Sequence, residues 1–162
     1  MNKKMKKTNL VVTVSIILIA VIVLVVVLLV RNNSSSNTLS NSQKISYTNQ
    51  INANWSSFFA TATSLSAREN LLQNGSKFSQ PIQTEFNIFS NEGSSASVSS
   101  IKFLNKTTAD VTYTVFLAGQ PVLKDEAGQA LFIDNTWKVS DSTLCTLLTL
   151  GGTKTSACPT KS

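Results

Sequence analysis

Hydrophobic and polar positions divide the chain into three stretches of different character. Residues 10–30 are apolar and carry no charged side chain. As a helix with about 1.5 Å rise per residue, such a stretch spans roughly 30 Å, the thickness of a bilayer core. Residues 31–44 are dominated by Asn and Ser, whereas residues 45–162 mix apolar and polar positions. The pattern predicts a transmembrane helix, a flexible polar linker and one globular domain.

The charges beside the apolar run predict its orientation. Four lysines lie in residues 1–9, and Arg31 follows the run. By the positive-inside rule, residues 1–9 form a cytoplasmic tail and the domain lies outside. A cleavable signal peptide is the alternative, but its apolar region usually spans about 7–15 residues and ends at small residues. This run is longer and ends in Leu-Leu-Val-Arg, which favours an uncleaved signal-anchor in the cell membrane.

A helical period opens the domain. Five apolar residues recur at the three- and four-residue spacing of one helix face, namely Ile51, Trp55, Phe58, Phe59 and Ala62. Ser66 and Glu69 have the spacing of a capping box, which predicts that a second helix begins at Ser66. Pro81 suits the first turn of a third helix.

The spacing of apolar residues then changes to every second position, which predicts antiparallel strands at 95–104 and 108–118. In the first of these strands, the alternation of apolar and polar positions shifts by one residue near Ser99 and Ser100, which indicates a β-bulge. Residues 121–123 and 129–134 are predicted as strands on either side of a turn at 124–128.

The last elements follow from turn and cap residues. Asp134-Asn135 predicts a hairpin turn into a strand at 137–139, and Ser140 or Asp141 caps a short helix that ends at Gly151-Gly152. Helices followed by a strand meander predict an α+β fold, with helices packed on a curved antiparallel sheet of about four strands.

The net charge of +6 raises the question of a polyanionic partner. Five of the fourteen basic residues flank the apolar run, and the remaining nine nearly balance the eight acidic residues. A nucleic-acid-binding face needs basic residues gathered where they meet phosphates. The charge therefore reflects membrane topology, and no nucleic-acid partner is predicted.

Candidate chemistry is sparse. The chain contains no histidine, which removes Ser-His-Asp and Cys-His catalytic sites and every histidine-containing metal site. Its two cysteines cannot form a structural zinc centre, and it has no P-loop or dinucleotide-binding glycine motif. We expect no catalytic residues, no metal, no cofactor and no enzymatic activity.

Cys145 and Cys158 close a loop of 14 residues. Outside the cytoplasm such a pair is expected to form a disulfide. A redox-active pair is the alternative, but it usually has Cys-x-x-Cys spacing, with the first cysteine at a helix start.

Tyr113 is predicted to face the core. Together with Trp55 and Trp137 it would line an internal pocket, and ordinary packing of aromatic side chains is the competing interpretation.

Three stretches are familiar: 71–78 (LLQNGSKF), 109–115 (ADVTYTV) and 133–145 (IDNTWKVSDSTLC). They resemble the C-terminal domain of the low-molecular-weight antigen family of mycobacteria and other actinobacteria. The resemblance implies a cystatin-like or nuclear-transport-factor-2-like cone displayed outside the cell, and it implies no particular biochemical activity. The chain departs from the family in keeping an anchor and in being rich in Asn, Ser and Lys rather than Ala.

These observations predict a membrane-anchored extracytoplasmic binding or accessory domain of the cell envelope, with the membrane and an envelope protein as its partners. The alternative function is a small apolar-ligand binder or enzyme that uses the interior of the cone. An internal pocket above about 300 Å³ that is lined by Tyr113 and holds an inward-facing acid would favour the alternative, and a filled core would favour the first.

Overall fold

The computed structural model describes residues 38–89 and 92–158. The predicted cytoplasmic tail (1–9), the predicted transmembrane helix (10–30) and residues 31–37 of the predicted linker lie outside the described residues. Within them, no helix has the length and apolar character needed to cross a membrane.

In the described part of the chain, helices are followed by a strand meander and a closing helix. The elements in chain order are α1 (Asn41–Phe59), α2 (Leu65–Asn70), a 3₁₀ turn (Gly75–Phe78), α3 (Ser79–Phe89), β1 (Ser94–Phe103), β2 (Thr108–Leu117), β3 (Gln120–Ile133), β4 (Thr136–Val139) and α4 (Asp141–Leu150). The strands form one antiparallel sheet in the order β1-β2-β3-β4. The predicted α+β class with a four-stranded antiparallel sheet is confirmed.

Helix α1 begins four residues before the predicted domain boundary at residue 45. The Ser40 hydroxyl accepts a hydrogen bond from the Gln43 backbone N–H, and the Gln43 side chain accepts one from the Ser40 backbone N–H. This capping box satisfies two backbone donors that would otherwise lack partners at the helix start. Residues 41–44 therefore belong to the helix, and the prediction that they are linker was wrong.

The predicted inner face of α1 is confirmed for four of its five residues. Ile51, Trp55, Phe58 and Phe59 are buried against the sheet and its neighbours. Ala62 is exposed because the helix ends at Phe59.

Helix α2 begins at Leu65, and Ser66 is not its cap as predicted. Ser64 caps the helix, with its hydroxyl accepting a hydrogen bond from the Ala67 backbone N–H at 3.3 Å. Both serines suit an N-cap, and in the structure Ser66 lies inside the first turn of the helix.

Arg68 joins three elements. Its Nε donates to the Phe58 carbonyl oxygen at 2.9 Å, and its guanidinium also donates to the Ala60 carbonyl oxygen. These carbonyls lie at the end of α1, where helix acceptors lack partners within the helix. The guanidinium carbon lies 3.5 Å from the ring centroid of Phe86 on α3. The buried cation thus ties α3 to the end of α1 through a cation–π contact.

The β1–β2 hairpin has the predicted alternation. The inner residues of β2, from Ala109 to Val115, are buried at every second position. The register between β1 and β2 shifts between Val98 and Ser100, which confirms the predicted bulge.

Strand β3 is continuous, so the prediction of a turn at 124–128 was wrong. Thr114 of β2 lies opposite two residues, Lys124 and Asp125, because Tyr113 pairs with Glu126 and Val115 with Leu123. Asp125 has a φ of 51°, and its backbone N–H donates to the Thr114 hydroxyl at 3.3 Å. The polar stretch is therefore a β-bulge inside a long strand.

The end of the sheet follows the prediction. Asp134 and Asn135 both have positive φ and form the two-residue turn into β4. Ser140 caps α4 by accepting from the Thr143 backbone N–H, and the helix ends at Gly151.

The predicted disulfide is confirmed. Cys145 on α4 is bonded to Cys158, with a Cα separation of 5.6 Å. The bond closes a polar loop onto a helix whose Leu144 and Leu148 are buried in the core.

We predict that Cys158→Ser lowers the melting temperature by several degrees. A loop of this length contributes about 3 kcal/mol in the loop-entropy account, and each kcal/mol shifts a domain of this size by a few degrees. Thermal unfolding followed by circular dichroism measures the change. The reduced wild-type chain should have the same melting temperature as the variant. Equal melting temperatures for the oxidised wild type and the variant would contradict a stabilising role.

Candidate functional site

The three aromatic residues predicted to line a pocket are fully buried. Trp55, Tyr113 and Trp137 are 0%, 1% and 0% exposed. Trp55 and Tyr113 are in edge contact, with ring centroids 5.9 Å apart. Trp137 packs instead among other rings, at 5.4 Å from Phe132 and 5.7 Å from Phe103. The structure places all three in core packing.

Tyr113 is enclosed from the side of β3. A Cβ atom added to Gly128 would lie 2.9 Å from Cε1 of the Tyr113 ring and 3.1 Å from Cγ2 of Thr143. Burial, followed by the negative charge of Glu126, raises the pKa of the Tyr113 phenol well above its ordinary value. The phenol therefore stays neutral at physiological pH, which does not suit a general base.

An apolar groove lies elsewhere, with a volume of about 270 Å³. Its walls come from the end of α1, from α3 and from α4, and its floor from the sheet near the β2–β3 hairpin. The lining residues are Phe58, Phe59, Ile82, Glu85, Phe86, Ser94, Val115, Leu117, Val122, Leu123, Leu144, Leu147, Leu148, Leu150 and Gly151. None of the three predicted pocket residues is among them. We call this surface the apolar groove.

Both polar side chains of the lining already have partners. The Ser94 hydroxyl donates to the Phe59 carbonyl oxygen at 2.6 Å. The Glu85 carboxylate accepts a hydrogen bond from the Thr153 hydroxyl. The groove therefore presents hydrocarbon with one negative charge, and its polar side chains are engaged with the protein itself.

The mouth of the groove is apolar and open to solvent. Val122 is 49% exposed and Leu150 is 55% exposed, and both line the groove. Exposed apolar side chains that continue into a concave apolar surface are typical of binding sites.

The disulfide loop supports one wall of the groove. The backbone N–H of Thr153 donates to the Leu148 carbonyl oxygen at 2.8 Å, while its hydroxyl holds Glu85 of α3. Since Cys158 fixes the far end of this loop to α4, the loop links the two helices that border the groove.

No cluster of three or more His, Cys, Asp or Glu side chains that suits a metal ion occurs among residues 38–89 and 92–158.

The comparison with protein families identifies the family of the domain. Residues 46–155 match the family described as low molecular weight antigen MTB12, C-terminal domain. The chain belongs to this family. The resemblance predicted from three stretches of the sequence is thereby confirmed. Neither a curated protein nor a solved structure matches the chain.

Sequence reasoning missed the apolar groove, although it assigned several of its residues to the correct elements. The period of α4 shows that Leu144, Leu147 and Leu148 face inward. It does not show that α3 and α4 leave a space between them over the hairpin end of the sheet. Among the residues of the groove, only Val122 and Leu150 are exposed apolar residues that could have indicated a binding site. Single exposed apolar residues are common in any domain, so these two do not identify one.

We predict that Gly128→Ala destabilises the MTB12-type domain by about 1–3 kcal/mol, because the added methyl group would overpack the Tyr113 ring. The matched control is Gly151→Ala, where the nearest atom to an added Cβ is the flexible Glu85 carboxylate at 3.5 Å. Urea unfolding measures both variants. If Gly128→Ala is as stable as the control, the interior around Tyr113 has spare volume and the assignment as filled core fails.

Proposed function

We propose that the chain is a single-pass, membrane-anchored extracytoplasmic binding domain of the cell envelope, without enzymatic activity, and that the apolar groove is its binding surface. The observation that carries this proposal is a concave apolar surface that is open to solvent, with Val122 and Leu150 exposed at its mouth. Concave, mainly apolar surfaces of this kind are the usual form of ligand-binding sites.

The anchor is supported by the sequence. Residues 10–30 are uncharged, with four lysines before them and Arg31 after them. This arrangement is typical of a helix that crosses the bilayer with its N-terminus in the cytoplasm. The disulfide supports the outer location of the domain, since structural disulfides persist in oxidising compartments.

The absence of an enzymatic role is supported by what the groove offers chemically. Its one carboxylate, on Glu85, is held by Thr153 and has no second titratable side chain beside it in the lining. General acid–base chemistry usually needs a positioned pair of groups or a histidine, and the chain has no histidine.

The finer shape of the fold also belongs to the proposal. We infer a cystatin-like or nuclear-transport-factor-2-like cone, in which α1 lies across the concave face of the sheet. It is supported by contacts of α1 with both edge strands, β1 and β4, and by the bulge in β3, since bulges increase strand curvature and twist.

The topology predicts the result of external proteolysis. Protease added to intact cells should digest the domain or the residues just outside the membrane and spare an N-terminal tag. Immunoblots against tags at both ends measure this result. A protected domain would contradict the orientation, and a mature chain that begins after residue 30 would show that the anchor is cleaved.

The binding surface predicts the result of site-specific photo-crosslinking. A photoreactive phenylalanine analogue at position 122, on the rim of the groove, should form adducts in intact cells. The same analogue at position 104 is the matched control, since Leu104 is also 49% exposed but does not line the groove. Mass spectrometry of the purified chain measures both. Equal yields at 122 and 104 would contradict the groove as the binding surface.

A further inference from the structure

We propose that the apolar groove takes one hydrocarbon chain of a membrane lipid whose head group carries no negative charge. This inference rests on the proposed function, since the bilayer that holds residues 10–30 is the source of the lipid.

The size of the groove limits the ligand to a narrow one. Its volume of about 270 Å³ falls just below the ~300–1,000 Å³ range of pockets for drug-sized ligands. A single hydrocarbon chain fits this volume, whereas a second chain or a bulky ring system would extend beyond the walls formed by α3 and α4.

The polar groups of the groove select for hydrocarbon. Ser94 and Glu85 are its polar side chains, and each is already hydrogen-bonded within the domain. A ligand that brings an amide or hydroxyl group deep into the groove would lose hydrogen bonds to water and gain none of equal quality, which disfavours its binding. A methylene chain loses no hydrogen bonds, and each methylene that it buries favours its binding.

Charge selects the head group. Glu85 is the one charged residue of the lining, and no Lys or Arg lines the groove. An anionic head group at the mouth would be repelled by the Glu85 carboxylate without a basic side chain of the groove to offset the repulsion. An uncharged head group, such as the glycerol of a monoacylglycerol, avoids this repulsion and remains in water.

The segment between the apolar run and the domain is short. Seven residues, 31–37, separate the end of the apolar run from the first residue that the structure describes. Even at full extension seven residues span at most about 25 Å. With residues 10–30 anchored as proposed, the domain is tethered to a bilayer, whose lipid chains are the most abundant apolar ligands available to it.

The test uses the full chain reconstituted in phosphatidylcholine vesicles that contain a monoacylglycerol with a photoreactive diazirine on its chain. Parallel vesicles contain the matching diazirine fatty acid, which is anionic. After illumination, mass spectrometry maps the adducts to peptides. We expect monoacylglycerol adducts on the groove segments of α3, α4 and the β2–β3 hairpin, at a yield several-fold above that of the fatty acid.

Three variants sharpen the result. Val122→Glu should lose most groove adducts, whereas Leu104→Glu, which changes an equally exposed residue outside the groove, should keep them. Glu85→Gln keeps a side-chain oxygen for Thr153 and removes the charge, so it should bring the fatty acid yield up to that of the monoacylglycerol. Thermal unfolding of each variant verifies that it is folded.

The outcomes separate the inference from the proposed function. Adducts confined to residues 10–30 overturn the lipid inference and support the anchor. Adducts in the groove without any in residues 10–30 support the inference and contradict the anchor. Equal yields for the two lipids in the wild type overturn the head-group selection. Crosslinks that join the grooves of two chains overturn the inference in favour of a second copy as the occupant.

Discussion

The burial of the aromatic face of α1 against the inner face of β2 is the interaction on which the other features depend. Trp55 and Phe59 both contact the ring of Tyr113, with centroid distances of 5.9 and 5.6 Å. Rings of this size bury large apolar areas, and their edge-to-face contacts fix their relative orientation. Once these rings are in place, the position of α1 across the sheet is fixed.

The groove follows from where α1 ends. The helix stops at Phe59, whose carbonyl oxygen accepts a hydrogen bond from Ser94 at the start of β1. Beyond this point α3 and α4 cover the β2–β3 end of the sheet, and they line the groove with Ile82, Phe86 and the leucines of α4. Phe86 packs edge-on against Phe58, with ring centroids 6.0 Å apart. Arg68 holds α3 through Phe86, and the disulfide loop holds α4 to Glu85 through Thr153. These contacts hold α3 and α4 in place, so the space between the two helices need not be filled for the domain to be stable.

The sequence predicts the parts of this fold that depend on local period. The faces of α1 and β2, the hairpin at Asp134 and the cysteine pair are visible because spacing alone specifies them. Two errors arose where local signals allowed two answers. Ser64 and Ser66 both suit an N-cap, and the local sequence does not decide between them. Residues 124–128 have the composition of a turn, and only the pairing of β2 with β3 on both sides of Asp125 shows a bulge. The groove itself was beyond the sequence, because its volume depends on how far apart two helices lie.

The central claim is that the interior has two unlike halves, a filled aromatic core and an apolar groove that accepts a hydrocarbon chain. Methyl-resolved NMR of the full chain in lipid nanodiscs tests it most directly, with and without a monoacylglycerol. The account predicts that the methyl signals of Leu117, Leu123 and Leu147 in the groove shift on addition of the lipid. The signals of Ile51 and Val139, which are buried in the core and do not line the groove, should remain unchanged. Shifts at Ile51 and Val139 with none in the groove would contradict the claim.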